Sequence, residues 1–270
     1  YFCSLNHLLP VAAMVSRDAA RTVVGILGNI IAFILFTSPV PTFVRIWKKG
    51  SVEQYSAVPY LATLINCGLW VLYGLPMVHP HSILVLTINA SGFVIELLYL
   101  FLFLMYSDRP KRRLKLLLIV LAEFIFIAIL ALLVLTLVHT TKLRSMIIGS
   151  ISMLGNVMMY ASPLSIMKLV ITTRSVEYMP FYLSLASFAN GICWTSYAVI
   201  HFDIFIAAPN GLGALLGLAQ LILYATFYKS TKQQMAERQE SKAEMGLAEM
   251  GLSEQSTKMN GTPQAQNSCV

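Results

Sequence analysis

The 270-residue chain is 57% hydrophobic and only 11% charged, with a mean hydropathy of +0.72. So little charge cannot cover a soluble domain of this length, which makes a multi-span membrane protein the expected class. The net charge of +7 does not point to nucleic acid, because the basic residues gather in short loops between apolar runs, where they report topology.

Seven runs reach the roughly 20 apolar residues that a bilayer core requires. They lie at about 22–44, 57–77, 82–106, 114–138, 145–168, 180–200 and 204–228. Residues 1–21 precede them as a stub carrying Arg17 and Arg21. The first loop holds Arg45, Lys48 and Lys49, and the third holds Arg109, Lys111, Arg112, Arg113 and Lys115. Lys168 and Arg174 follow at the fifth, and Lys229 and Lys232 after the last span. On the other side the second and sixth loops have no Lys or Arg, and the fourth has only Lys142 and Arg144. Positive charge stays in the cytosol, so the N-terminus is expected to be extracytosolic and the C-terminus cytosolic.

The chain also repeats itself. Ser38-Pro39, Ser51-Val52-Glu53, Asn66, Trp70 and Tyr73 return as Ser162-Pro163, Ser175-Val176-Glu177, Asn190, Trp194 and Tyr197, each pair 124 positions apart. Asn89 returns as Asn210, 121 positions on. Repeated apolar units with polar residues at matching depths mark transporters built from internal repeats. A three-span unit crosses an odd number of times, so a single linking span is needed for both copies to face the same way. The expected fold is an all-α membrane protein of seven helices in a 3+1+3 order. The first repeat covers 22–108, the linker helix 109–140 and the second repeat 145–228. From 229 to 270 the chain turns polar and nearly repeats Ala243–Leu247 as Ala248–Leu252, the composition of a disordered cytosolic tail.

Asn66, Trp70 and Tyr73 are spaced i, i+4, i+7 and share one helix face, as do Asn190, Trp194 and Tyr197. Asn89, Asn156 and Asn210 add amides inside other spans. An amide in lipid without partners costs several kcal/mol. Single asparagines commonly glue helices together, but five of them, partly duplicated and paired with tryptophans, imply a polar chamber. No basic residue sits at that depth for an anion, and the matched stripes repeat no acid for a cation. Amides serve hydroxyl groups and indoles offer a flat apolar wall, a combination suited to a neutral sugar.

Pro39, Pro59, Pro163 and Pro180 fall at one membrane level. Pro59 and Pro180 can simply start helices, whereas Pro39 and Pro163 sit within continuing apolar runs and read as pivots of a cytosolic gate. Tyr73 and Asp203 meet in the topology at the external side, as an outer latch. Glu96 and Glu123 lie within spans without repeat counterparts and read as structural, with a proton relay through Glu96 as the other option. The sequons Asn89-Ala90-Ser91 and Asn260-Gly261-Thr262 lie in a span and on the cytosolic side, so neither is expected to be glycosylated. Four cysteines and five histidines show no disulfide, metal or nucleophile spacing; no catalytic residue, metal or cofactor is expected, and the protein is not read as an enzyme. A seven-span receptor is a weaker reading, because no proline follows Cys193-Trp194 and receptors lack the repeat.

The motifs Thr87-Ile88-Asn89 with Gly92, Tyr160–Met167, Ser175–Phe181 and Pro209-Asn210-Gly211 resemble those of the SWEET (MtN3/saliva) sugar transporters, above all plant members, over about residues 20–230. The resemblance implies energy-independent, bidirectional sugar movement by alternating access. It implies that Asn89 and Asn210 hold the substrate, with Trp70 and Trp194 as walls, Asn66 and Asn190 beside them, and Leu35, Asn156 and Met159 lining further positions. It assigns the four prolines to the cytosolic gate and Tyr73 with Asp203 to the external gate. Homo-oligomers, specifically trimers, in the plasma or vacuolar membrane are also implied. Sucrose-preferring relatives tend to be smaller at Asn156, Met159 and Asn190, so a hexose such as glucose is expected over sucrose. The alternative is a proton-coupled carrier of the related PQ-loop group.

Overall fold

The computed structural model describes residues 2–53 and 55–259, which are helical almost throughout. Phe2–Thr37 (α1) and Val40–Lys49 (α2) form one interrupted span, followed by Val58–Gly74 (α3) and Ile83–Tyr106 (α4). Pro110–Leu137 (α5) is the linker. Thr141–Met159 (α6) and Ala161–Thr173 (α7) form a second interrupted span, and Phe181–Ile200 (α8) and Ile204–Met259 (α9) complete the order. Six of these segments are long and apolar enough to cross a membrane, with the interrupted helices taken as single spans. The seventh, α3, has 17 residues and stands at the short limit of what a bilayer accepts. It ends at Gly74 rather than 77 because Leu75 precedes Pro76 and is driven to an extended backbone (ψ 137°).

Both interruptions arise where the sequence repeats its proline. Pro39 has no N–H for the Leu35 carbonyl, which instead accepts from Ser38 N at 3.1 Å, a tighter turn. In the second copy the ladder tightens at Tyr160, whose N–H reaches Val157 O at 3.2 Å, three residues ahead of Pro163. In each unit the third helix packs against both others, α4 on α1 and α3, α9 on α6 and α8. The two units meet where α1 packs on α8 and α3 on α6.

Two apolar clusters stabilise the first unit and the half of the bundle away from the basic loops. One gathers Tyr73, Val78, Ile148, Trp70, Trp194 and Tyr197. The other joins α2, α3 and α4 at the basic end, where Phe43 stacks on Tyr99 at 4.3 Å between centroids. The corresponding end of the second unit holds only a small cluster of Val170, Val176 and Met179. The linker α5 is thinly packed, with only Leu116 and Val134 buried. Its exposed Leu117, Leu121, Phe124 and Leu132 form the apolar outer surface that a lipid solvent requires.

The stub expected at 1–21 is helical from Phe2 and continuous with α1, with Arg21 bonded to His81 O at 3.0 Å and lying 4.2 Å over the Tyr197 ring. One sequence expectation needs correction. The disordered tail expected from 229 is helical as far as Met259, and residues 260–270 lie outside the described residues. Its Lys, Gln, Met, Ala, Glu and Arg are strong helix formers. Its first turns are also tied to the loop after α7: Thr231 Oγ1 accepts from Val176 N at 2.8 Å, and Arg238 pairs with Glu177 at 3.0 Å.

Gly50 (φ 67°) and Arg174 (φ 50°) end α2 and α7 in the same left-handed conformation and are 124 positions apart. A side chain there costs about 1–2 kcal/mol, a cost that glycine avoids. A Cβ at Gly50 meets nothing within 4 Å, so Gly50→Ala should lower the melting temperature through backbone strain alone. Arg174→Gly should raise it, by up to about 1 kcal/mol of added stability. Thermal unfolding of both variants in detergent checks the signs.

Candidate functional site

A cavity of about 250 Å³ lies between the two units. Its walls come in repeat-related pairs: Asn66 with Asn190, Trp70 with Trp194, Asn89 with Asn210, and Phe36 with Tyr160. Asn156 and Met159 also line it. A second cavity of about 330 Å³ shares Tyr160, Asn190 and Asn210 with the first and continues past Leu35 to Pro163 and Pro180. The void therefore runs from mid-membrane to the end that carries the basic loops.

The amides are held in matching ways. Asn89 Nδ2 donates to Val85 O and Asn210 Nδ2 to Ile206 O, both at 2.8 Å and both one turn back on their own helix. Each amide is thereby locked in orientation while its carbonyl oxygen accepts nothing from the described residues. Asn66 Oδ1 and Asn190 Oδ1 are buried without a partner. Asn156 alone is engaged across the units, accepting from Trp70 Nε1 at 3.2 Å. An unpaired buried acceptor costs about 1–3 kcal/mol; Asn66 and Asn190 each carry one beside the void, and the carbonyls of Asn89 and Asn210 have no donor among the described residues, so a group rich in donors would be stabilised there. Apart from the Tyr160 phenol, whose O–H donates to Pro209 O, no lining residue of this cavity is ionisable. Glu96 and Glu123 lie outside it, each with one buried oxygen lacking a partner.

Beyond the tryptophans the bundle is sealed. Tyr73 (0% exposed) donates to Asp203 Oδ2 at 2.8 Å. Asp203 Oδ1 also accepts from Phe205 N and Ile206 N at 3.0 and 3.3 Å, capping α9. His79 stacks on Tyr73 at 4.7 Å, approaches Asp203 at 3.3 Å and meets Ser145 Oγ at 3.0 Å. The repeat partner Tyr197 has no carboxylate: Ser82 stands where Asp203 stands in the other copy, and Tyr197 OH reaches His81 O at a long 3.5 Å. Arg21 covers that ring instead. Arg144, one of two cations expected in the weakly basic fourth loop, is consumed structurally, donating to Val138 O, Met77 O and Leu135 O.

At the basic end, Pro163 and Pro180 line the second cavity, Pro39 is half-buried and Pro59 exposed. Among the residues singled out in the sequence, Asn66, Trp70, Asn89, Asn156, Met159, Asn190, Trp194 and Asn210 converge on the first cavity. Leu35 lies on the second. Phe36, Tyr160 and Arg21 were not anticipated. The signal for the first two was present: they stand 124 positions apart, and each packs on a repeat-related glycine, Gly92 or Gly213, where an added Cβ would lie 2.5 or 2.8 Å from the aromatic side chain.

Two parallel three-helix units around a central uncharged, amide-lined void, sealed at one end and open toward the other, define a multi-pass membrane carrier. A family model described as "Sugar efflux transporter for intercellular exchange" matches residues 22–111 and 146–232, which are the two repeats without most of the linker. The chain is 60% identical over 231 residues to the bidirectional sugar transporter SWEET4 of Oryza sativa, covering 86% of this chain and 89% of that one. It is 57% identical over 219 residues to SWEET7 of Arabidopsis thaliana, covering 81% and 85%. A solved eukaryotic SWEET transporter superposes with a TM-score of 0.77 at 40% identity, covering 79% of this chain and 99% of that chain. The chain belongs to the SWEET family.

The seal carries a pH dependence. His79 lies in the loop after α3, and burial holds its pKa below the ordinary histidine value; repulsion from Arg21 and His81 adds to this, against the attraction of Asp203. The folded seal therefore holds a neutral ring, while the unfolded chain takes up a proton below about pH 6.5. The contribution is full above that value and is lost as pH falls through the window beneath it. Wild-type thermal stability should drop more between pH 7 and pH 5 than that of His79→Gln, as measured by melting curves in detergent.

Proposed function

We propose that this protein is a facilitative, bidirectional sugar carrier that works by alternating access and takes a hexose such as glucose in preference to sucrose. The observation that carries the reading is an uncharged central cavity lined by Asn66, Asn89, Asn190 and Asn210 in repeat-related pairs, none of whose carbonyls has a donor among the described residues. A hexose offers a ring of hydroxyl donors for them, and its apolar face suits the indoles of Trp70 and Trp194. The names of the relatives support a sugar as cargo. The preference for a hexose rests on cavity size: Asn156, Met159 and Asn190 put long side chains into a space of about 250 Å³.

In this reading Asn89 and Asn210 grip the sugar from opposite units, and the basic end is the cytosolic face. The conformation described then has its external gate shut by Tyr73 and Asp203 and its cytosolic side accessible. Transport requires the two units to rock so that the proline end closes as the Tyr73–Asp203 bond parts. Pro39 and Pro163 supply the bending points, because the missing N–H removes one ladder bond in each interrupted span. With no ionisable pair in the chamber to load a coupling ion, movement follows the sugar gradient in either direction. The carrier works as a homotrimer with one pathway per protomer, in the plasma or vacuolar membrane.

Removing the Asn210 amide deletes one gripping group and leaves a buried sugar hydroxyl unpaired, which costs about 1–3 kcal/mol. Asn210→Ala should reduce glucose flux in proteoliposomes by ten-fold or more at unchanged surface expression. Retained flux would reduce the amides to helix glue. Glucose uptake should exceed sucrose uptake in the same vesicles, and Pro163→Ala should slow transport while glucose binding persists.

The proton-coupled alternative is favoured by one observation, the Glu96 carboxylate with a buried unpaired oxygen. An imposed pH gradient that drives glucose uphill would establish that alternative, whereas the uniporter reading expects only equilibration.

A further inference from the structure

We propose that the crevice between the N-terminal turns of α3 and the basic end of α5 is a binding site for an anionic phospholipid. The crevice encloses about 220 Å³. Its floor is apolar and buried: Leu61 at 8% exposure, Phe103 at 1% and Leu116 at 4%. Its rim toward the bilayer is Val58, which is 67% exposed. Arg112 and Lys115 stand over the opening at the basic end. Apolar depth beneath a pair of cations at the membrane edge matches an acyl chain beneath a phosphate.

The cations of this loop divide into two groups. Arg113 is committed to the end of α4, donating to Ser107 O at 2.5 Å and Met105 O at 3.2 Å. Lys115 has no hydrogen-bond or ion-pair partner among the described residues, and Arg112 makes one long bond to Glu53 O at 3.4 Å. Arg112 also borders a polar recess of about 580 Å³ with Arg109, Ser51, Glu53 and Asp108. Glu53 is paired with Lys49 at 2.5 Å, and Asp108, bonded to the Ser51 hydroxyl at 2.7 Å, keeps its charge. Arg109, Arg112 and Lys115 outnumber that one carboxylate, so the charge left at the rim is positive, and the recess has room for a head group bearing hydroxyls. Packing explains why the site exists only once. The linker α5 has no repeat counterpart, and it leans on α3 and α4 of the first unit with few buried side chains. A lipid in the crevice fills the gap that this thin packing leaves.

The test uses the full chain reconstituted in phosphatidylcholine nanodiscs containing phosphatidylinositol, with retained lipid read by native mass spectrometry. Wild type should retain phosphatidylinositol over phosphatidylcholine. The double variant Arg112→Ala/Lys115→Ala should lower that retention at least five-fold, as should Val58→Trp, which narrows the crevice from its exposed rim. Lys142→Ala, in the fourth loop, should leave retention unchanged. Lys115→Ala alone alters only an exposed side chain, keeps the fold and should still reduce retention. Equal retention of the two lipids, or retention unchanged in both the double variant and Val58→Trp, would overturn the proposal. So would disulfide cross-linking of Val58→Cys to a neighbouring protomer, because the crevice would then be covered by a second copy.

Discussion

Everything in this molecule turns on keeping polar groups from meeting hydrocarbon. The backbone answers with helices, and the side chains answer with a shared interior. Asn89 and Asn210 fix themselves on their own helices and still present a carbonyl, while Asn66 and Asn190 present theirs with no partner at all. Acceptors of this kind cost several kcal/mol in a dry, packed interface, and a void bordered by amides lowers that cost.

The repeat makes the void two-fold in outline but not in chemistry. At the sealed end one tyrosine is bound to a carboxylate and its counterpart is covered by an arginine. At the other end the first unit is consolidated by stacked aromatics, whereas the second keeps only a small apolar cluster and a cavity reaching its prolines. The helix breaks fall at corresponding places in both units, and the packing beside them is uneven, with the larger apolar cluster in the first unit.

The linker helix stands apart from this logic. It restores the orientation of the second copy, which is a topological task, and it needs little packing to perform it. Most of its surface is left to lipid, and the loop before it concentrates the cations. The same loop is tied to the Ser51–Glu53 segment by Ser51–Asp108 and Val52 N–Tyr106 O bonds. The repeated segment Ser175–Glu177 is tied to α9 by other residues, Thr231 and Arg238. The repeated Ser-Val-Glu motif is thus a fastening point whose partner differs in each half.

How much of this was legible in the chain depends on the range of the interaction. Span count, the 3+1+3 order and the amide stripes follow from transfer energies and helical spacing, which neighbouring residues encode. Helix ends were less legible: α3 stops early because of Pro76, and α9 continues because its polar residues favour helix and find partners on another loop. The Trp70–Asn156 bond, the cover of Arg21 on Tyr197, the Phe36 and Tyr160 packing and the crevice beside α5 required the folded chain. They depend on how closely two separately encoded units approach each other. That distance is set by the summed packing of many side chains, and no local pattern records it.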